Sequence, residues 1–210
     1  DVEAYEVSIR EEVVQGIDAR NLLSRTRYGA LILNSEDTFF IEVDRPPARF
    51  WKSLFAWRGL DDKQRILAHI AELAALPRYA RCGIRVYETG KGVRVILTGT
   101  TAQPGSVEAG RVLEDFHADP LYARLCAKQG CFRARVSPKP HRVRCRGFKV
   151  GWPRDEAEQA ALAAWLAEYE AKSARYAVCR FLRAYGVPGH STIIDLHDRL
   201  TQAYGSKPLA

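Results

Sequence analysis

Two carboxylates, Glu42 and Asp44, stand at alternate positions in the otherwise apolar run TFFIEVDRP. In a strand, residues i and i+2 point to the same side, which sets these acids roughly 6 to 7 Å apart. Like charges that close repel, and a shared cation offsets the cost. Mg²⁺ and Mn²⁺ prefer carboxylate oxygens and can present a nucleotide's phosphates, so Glu42 and Asp44 are candidate metal ligands and catalytic residues. The plainer alternative is a strand end whose acids face water. A second stretch, YETGKGVRVILTG, places Lys91 in a Gly-Lys-Gly turn and Arg94 two residues past Gly92. Exposed turn N–H groups beside Lys91 and Arg94 are candidates for holding a phosphate. As an ordinary hairpin, the same stretch uses its glycines to supply positive φ.

The net charge of +7 is concentrated in one segment. Residues 132–149 carry Arg133, Arg135, Lys139, Arg142, Arg144, Arg146 and Lys149 with no acid, and the rest of the chain has as many basic as acidic residues. A local patch of this kind attracts phosphates better than a uniformly basic surface. If Phe132 to Val136 is a strand, Arg133 and Arg135 share one face. Pro138 and Pro140 hold Lys139 and His141 in an extended run. Arg133, Arg135, Lys139, His141, Arg142 and Arg144 are therefore the candidate nucleic-acid contacts, with Phe132, Phe148 and Trp152 as stacking partners. A solvated, charge-rich strand pair is the alternative.

Cys126, Cys131, His141 and Cys145 have ligand types and a spacing close to those of a zinc site. Against zinc, Cys126 falls within a predicted helix and Cys131 at a strand start, where cysteine serves as a small buried hydrophobe. His117, His190 and His197 are expected to be ordinary surface or core residues. No nucleophile-elbow pattern accompanies Ser191, so no hydrolase triad is expected.

The elements that must position these residues follow from periodicity and punctuation. Residues 28–33 and 38–43 read as a hairpin around the polar turn Asn34-Ser35-Glu36-Asp37. An aromatic connector with Pro46, Pro47 and Trp57 follows, suited to covering a sheet edge. Residues 61–77 show Ile66, Leu67, Ile70 and Leu73 at helical spacing. A second hairpin spans 83–88 and 92–98. Ser106 caps one helix, and Asp119, Pro120 and Gly130 bound another before the strand at 132. Residues 155–185 are Ala-rich and predict one long helix to Gly186, followed by a last helix over 191–204. The order β-β-α-β-β-α-α-β predicts an α+β fold, a mixed sheet of two β-hairpins with packed helices. Residues 1–151 form the main domain, and 152–210 a helical extension packed on it.

Bulk properties agree. At 210 residues, with 47% hydrophobic and 27% charged residues, the chain suits one soluble globular unit. No apolar run approaches the roughly 18 residues a membrane span needs, and the acidic N-terminal stretch is unlike a secretory or mitochondrial signal, so a cytoplasmic location is expected. The five scattered cysteines are expected to be reduced.

In FFIEVD and TGKGVRVIL, in that order and with a helix between, the chain resembles the archaeo-eukaryotic primase superfamily of primase-polymerases and end-joining polymerases. The resemblance covers about residues 28–145 and implies a primase-polymerase-like fold, nucleotide and nucleic-acid binding, and Mg²⁺ or Mn²⁺ at Glu42 and Asp44. Two departures bear on activity. Arg94 stands where the family has a histidine that contacts the incoming nucleotide, and a third carboxylate motif has no clear counterpart. The expectation is a nucleic-acid or nucleotide-binding protein, with impaired metal-dependent nucleotidyl transfer. The alternative is a non-enzymatic interaction protein that binds RNA or an acidic protein partner through its basic strand and helical extension.

Overall fold

The computed structural model describes residues 11–44, 59–149, 151–187 and 189–210. The expected aromatic connector, with Pro46, Pro47 and Trp57, lies outside them. Among the described residues, eight strands are distributed over two antiparallel sheets. The first sheet takes β1 (Glu12–Gly16), β2 (Asn21–Arg25), β3 (Leu31–Ser35) and β7 (Phe132–Arg135), in the order β1-β2-β3-β7. The second takes β4 (Phe39–Val43), β5 (Gly83–Thr89), β6 (Val93–Thr98) and β8 (Cys179–Tyr185), in the order β4-β6-β5-β8. The helices among the described residues are α1 (Asp62–Ala74), α2 (Val107–Asp115), α3 (Pro120–Gln129), α4 (Glu156–Ser173) and α5 (Thr192–Thr201). The class is α+β, as the element order predicted.

Local chemistry explains most boundaries. Asp61 and Gln64 form a reciprocal capping box at the start of α1, and Asp155 and Glu158 do the same for α4. Asp119 accepts from the N–H groups of Leu121 and Tyr122 to start α3, and Gly130, at φ 62°, ends it in the left-handed region. The expected β5–β6 hairpin forms, with Tyr87 opposite Arg94 and Val86 opposite Val95. One apolar core joins both sheets, α1 and α5. It includes Leu33, Phe40, Ile41, Ile66, Ile70, Val95, Ile96 and Ile194. The rings of Phe39 and Phe132 stack at 3.9 Å where the two sheets meet, a pair worth about 0.5–1.5 kcal/mol beyond its buried area.

Three expectations are corrected. Residues 28–33 and 38–43 do not pair as a hairpin. β3 pairs with β2 and with β7, whereas β4 pairs with β6 in the other sheet. The Ser35 hydroxyl accepts from the N–H groups of Asp37 and Thr38, and this polar corner carries the chain between sheets instead of reversing it. The long helix over 155–185 stops at Ser173, and residues 179–185 form strand β8 along β5. The apolar spacing of Ala177, Val178 and Phe181 fits either element, and pairing of the otherwise open β5 edge selects the strand. The segment 152–210 is thus not wholly helical, and it supplies an edge strand of the second sheet. Finally, Pro140–Val143 is a 3-10 turn, so His141 does not continue an extended run.

Candidate functional site

Between the two sheets lies a cleft of about 830 Å³ that gathers most of the residues singled out by the sequence. Glu42 and Asp44 of the second sheet, Lys91 of its hairpin turn, and Arg133, Arg135, Lys139 and Arg142 of the basic segment all line it. They converge because β7 lies at the edge of the first sheet and β4 at the edge of the second. The free edge of β4 is covered by α3: the Asp119 N–H donates to Glu42 O at 2.9 Å, and the Tyr122 hydroxyl donates to Phe40 O at 2.5 Å. These bonds satisfy backbone groups that a sheet edge leaves open. They also fix where the Glu42 side chain starts.

The acids of the cleft are already engaged. Arg94 donates from Nε to Glu42 Oε1 at 2.7 Å, and its Nη2 lies 2.5 Å from the same oxygen. Lys91 Nζ pairs with Asp44 Oδ2 at 3.2 Å. Glu11 accepts from Arg133 Nη2 through both oxygens at 2.8 Å, and Asp119 caps α3. Arg135, Lys139 and Arg142 have no acidic partner among the described residues. Burial lowers the proton affinity of Arg135, where Glu42 pulls it up and Arg94 and Arg142 push it down. Burial also lowers that of Lys139, and Arg135, Arg142 and Lys91 add like-charge repulsion. The Arg135 Nε atom is buried without a hydrogen-bond partner. A cluster of cations held close, with no ion-pair partner of its own among the described residues, is an anion site in its chemistry.

Several candidate residues have other roles. Arg94 does not face a phosphate, because its guanidinium is completely buried beneath Glu42 and α5. Arg133 does share a face with Arg135, yet its charge is spent on Glu11, and it also donates to Gln129. His141 and Arg144 are exposed but are not among the residues lining the cleft. Phe132 is buried against Phe39, and Phe148 is buried against Trp165, so neither is open for stacking. Trp152 is partly exposed and lines the cleft, joined there by Tyr28, which the sequence reading did not single out. The glycines of the hairpin turn are not in the positive-φ region. Gly92 is needed for space instead: a Cβ there would lie 2.1 Å from Val43 O. Its N–H is bonded to the Thr89 hydroxyl, so it is not free for a phosphate.

The zinc set does not assemble. Cys126 and Cys131 are buried in and beside α3, Cys145 packs with Val143 and Tyr169, and His141 is exposed. Burial pushes the thiols of Cys126 and Cys131 up to about 11 and about 12. All five cysteines are unpaired. Nor do Glu42 and Asp44 fit a two-metal centre. Each already holds a cation, and among the described residues no third His, Cys, Asp or Glu joins them in a group.

The buried arrangement that sequence reading did not anticipate, around Arg94 and His197, lies behind Glu42. Arg94 Nη1 is 3.0 Å from His197 Nε2, His197 Nδ1 is 2.8 Å from Asp198 Oδ1, and Asp198 Oδ2 is 3.0 Å from Arg85 Nη2. Arg85 also reaches the Tyr204 hydroxyl at 2.6 Å. Burial, assisted by the Arg94 charge, pushes His197 down to about 4 despite the Asp198 contact. One sequence signal pointed here: His197 falls on the apolar face of α5 with Ile193, Ile194 and Thr201. Cys179 Sγ lies 4.0 Å from His197, but burial lifts its thiol to about 11, which rules out a ready nucleophile.

Compared with protein-family models, with curated proteins and with solved structures, the chain matches none of them. No helix among the described residues is long and apolar enough to cross a membrane. The fold and the site define an α+β protein with a cationic cleft between two antiparallel sheets.

Proposed function

We propose that the protein binds phosphate-bearing ligands, nucleotides or a nucleic-acid strand, in the cleft between its sheets. The observation that carries this reading is the convergence of Arg135, Lys139 and Arg142 without acidic partners, beside Lys91 on the facing hairpin. Guanidinium groups bracket phosphate oxygens, and two aromatic rings at the cleft, Tyr28 and Trp152, offer faces on which a base can stack. The likeness of FFIEVD and TGKGVRVIL to primase-polymerase motifs supports the same ligand class. Binding, and not nucleotidyl transfer, is the activity proposed, because both carboxylates are spent on internal ion pairs. The rival reading, a protein partner docked on the C-terminal helices, has less behind it. α5 turns its apolar face into the core, so that face is not offered to a partner. A cytoplasmic location accompanies the proposal.

Fluorescence anisotropy of a labelled single-stranded oligonucleotide, with unlabelled nucleoside triphosphate as competitor, tests it. Affinity is expected to fall steeply between about 50 and 200 mM salt. The double variant R135Q/K139Q is expected to bind at least about tenfold more weakly and to lose about 1.4 from the logarithmic salt slope, at about 0.7 per phosphate contact on a single strand. Absence of binding by the wild type, or an unchanged affinity in the variant, refutes the reading.

A further inference from the structure

The turn between β5 and β6 holds two glycines, and each makes room for a different neighbour. Gly92 needs space beside the β4 backbone. Gly90 is exposed, and its φ lies outside the positive region, so its backbone conformation suits any L-residue. What a side chain at position 90 would meet is a guanidinium. A Cβ there would lie 2.7 Å from Arg142 Nη1, with the Ala210 carbonyl carbon next at 3.2 Å. Arg142 thus crosses from the basic segment to the facing hairpin and rests its charged end where the turn carries no side chain.

The backbone that carries Arg142 is held firmly. It belongs to the 3-10 turn Pro140–Val143, in which the Arg142 N–H donates to Lys139 O and the Cys145 N–H to Pro140 O, both at 2.9 Å. Val143 and Cys145 pack with Tyr169 of α4, whose hydroxyl donates to Pro138 O at 2.5 Å. With its backbone fixed, Arg142 has only its side-chain torsions left to settle, and the contact at their far end is Gly90. Arg142 lines the cleft and has no acidic partner among the described residues. A guanidinium seated before a ligand arrives has already lost rotamer freedom, so binding costs less.

We propose that Gly90 is a positioning residue of the cleft: the space left by its missing side chain is a socket that seats the Arg142 guanidinium against the facing hairpin, ready for a phosphate. The glycine-rich turn then acts on the ligand through the arginine it seats. The group that a Cβ at position 90 displaces is the end of a flexible side chain, which yields by rotation, and the Ala210 backbone needs to give by only a few tenths of an ångström. The fold is therefore spared while the seat is lost, unlike at Gly92, where the atom met is backbone. This deepens the phosphate-binding reading above and rests on it.

Gly90→Ala and Arg142→Ala, singly and together, test it in the oligonucleotide anisotropy assay. R142A is expected to lose about 0.7 from the logarithmic salt slope, the value of one phosphate contact on a single strand. G90A is expected to bind at least about threefold more weakly with a slope lowered in the same direction, while its Tm stays within about 4 °C of wild type. In the R142A background, G90A is expected to add less than about twofold, because the group its Cβ displaces is gone. A smaller loss in G90A, or losses in the two variants that multiply in full, overturns the proposal. If R135Q/K139Q weakens binding while G90A does not, the cleft stands and the socket falls. If the wild type binds nothing, both fall. Should G90A fail to fold, proton NMR of the wild type decides. A nuclear Overhauser contact between the Arg142 side chain and the Gly90 Hα protons is expected, and its absence overturns the proposal.

Discussion

Replacing Glu42 by Ala distinguishes a structural carboxylate from one kept for a metal. Arg94 is completely buried, with Nε 2.7 Å from Glu42 Oε1. Removing Glu42 leaves that guanidinium with His197 alone and no counter-charge. Breaking a buried pair from one side costs about 3–5 kcal/mol, because the remaining ion keeps its desolvation penalty. For a chain of this size each kcal/mol lowers Tm by about 2–4 °C, so a fall of about 6–20 °C is expected in thermal unfolding followed by circular dichroism. Asp44→Ala is the contrast. Its partner Lys91 is 59% exposed, and loss of such a surface pair costs less than about 1 kcal/mol. If the two acids existed to share a cation, removing either one in metal-free buffer would relieve repulsion and leave stability unchanged or raised. An E42A protein within about 1 kcal/mol of wild type, by urea unfolding, refutes the account of Arg94 given above.

Further outcomes follow from the same geometry. The depressed folded-state value of His197, about 4 against 6.5 in the unfolded chain, means that the unfolded state takes up the proton first as pH falls. This contribution to stability is whole above about pH 6.5 and is lost on the way down to about pH 4, with a slope of at most about 1.4 kcal/mol per pH unit. Urea unfolding should show that slope in wild type and its absence in H197Q. Gly92→Ala drives a Cβ to within 2.1 Å of Val43 O, so β4 and β6 must part near Glu42; a loss of about 1–3 kcal/mol or more is expected in the same assay. The five buried thiols should react slowly with a thiol reagent in native buffer and all react in denaturant. Fast native labelling of Cys126 or Cys131 contradicts their placement.

The elements whose ends are set by local bonds were legible in the sequence. Asp61, Ser106, Asp119 and Ser191 each cap the helix they announce, and Gly130 ends α3, because a cap is a contact among residues three or four apart. The β5–β6 hairpin was legible for the same reason. β1 and β2 escaped notice, since each is only five residues long and mixes polar with apolar positions. The pairing of β3 with β2 and the strand character of 179–185 were not readable either. Both depend on which sheet edge is open, a fact about distant chain segments.

The candidate site divides along the same line. Residue type and spacing alone determined that Glu42, Asp44, Lys91 and the 133–142 cations were worth watching, and the structure brings these into one cleft. Charge is a property of the residue, so a sequence displays its concentration. Whether a charge is free is a property of its neighbours. Tertiary structure alone decided that Arg94 and Arg133 are spent on Glu42 and Glu11 while Arg135 and Lys139 are not, because partners 52 and 122 residues away in the chain fix that outcome.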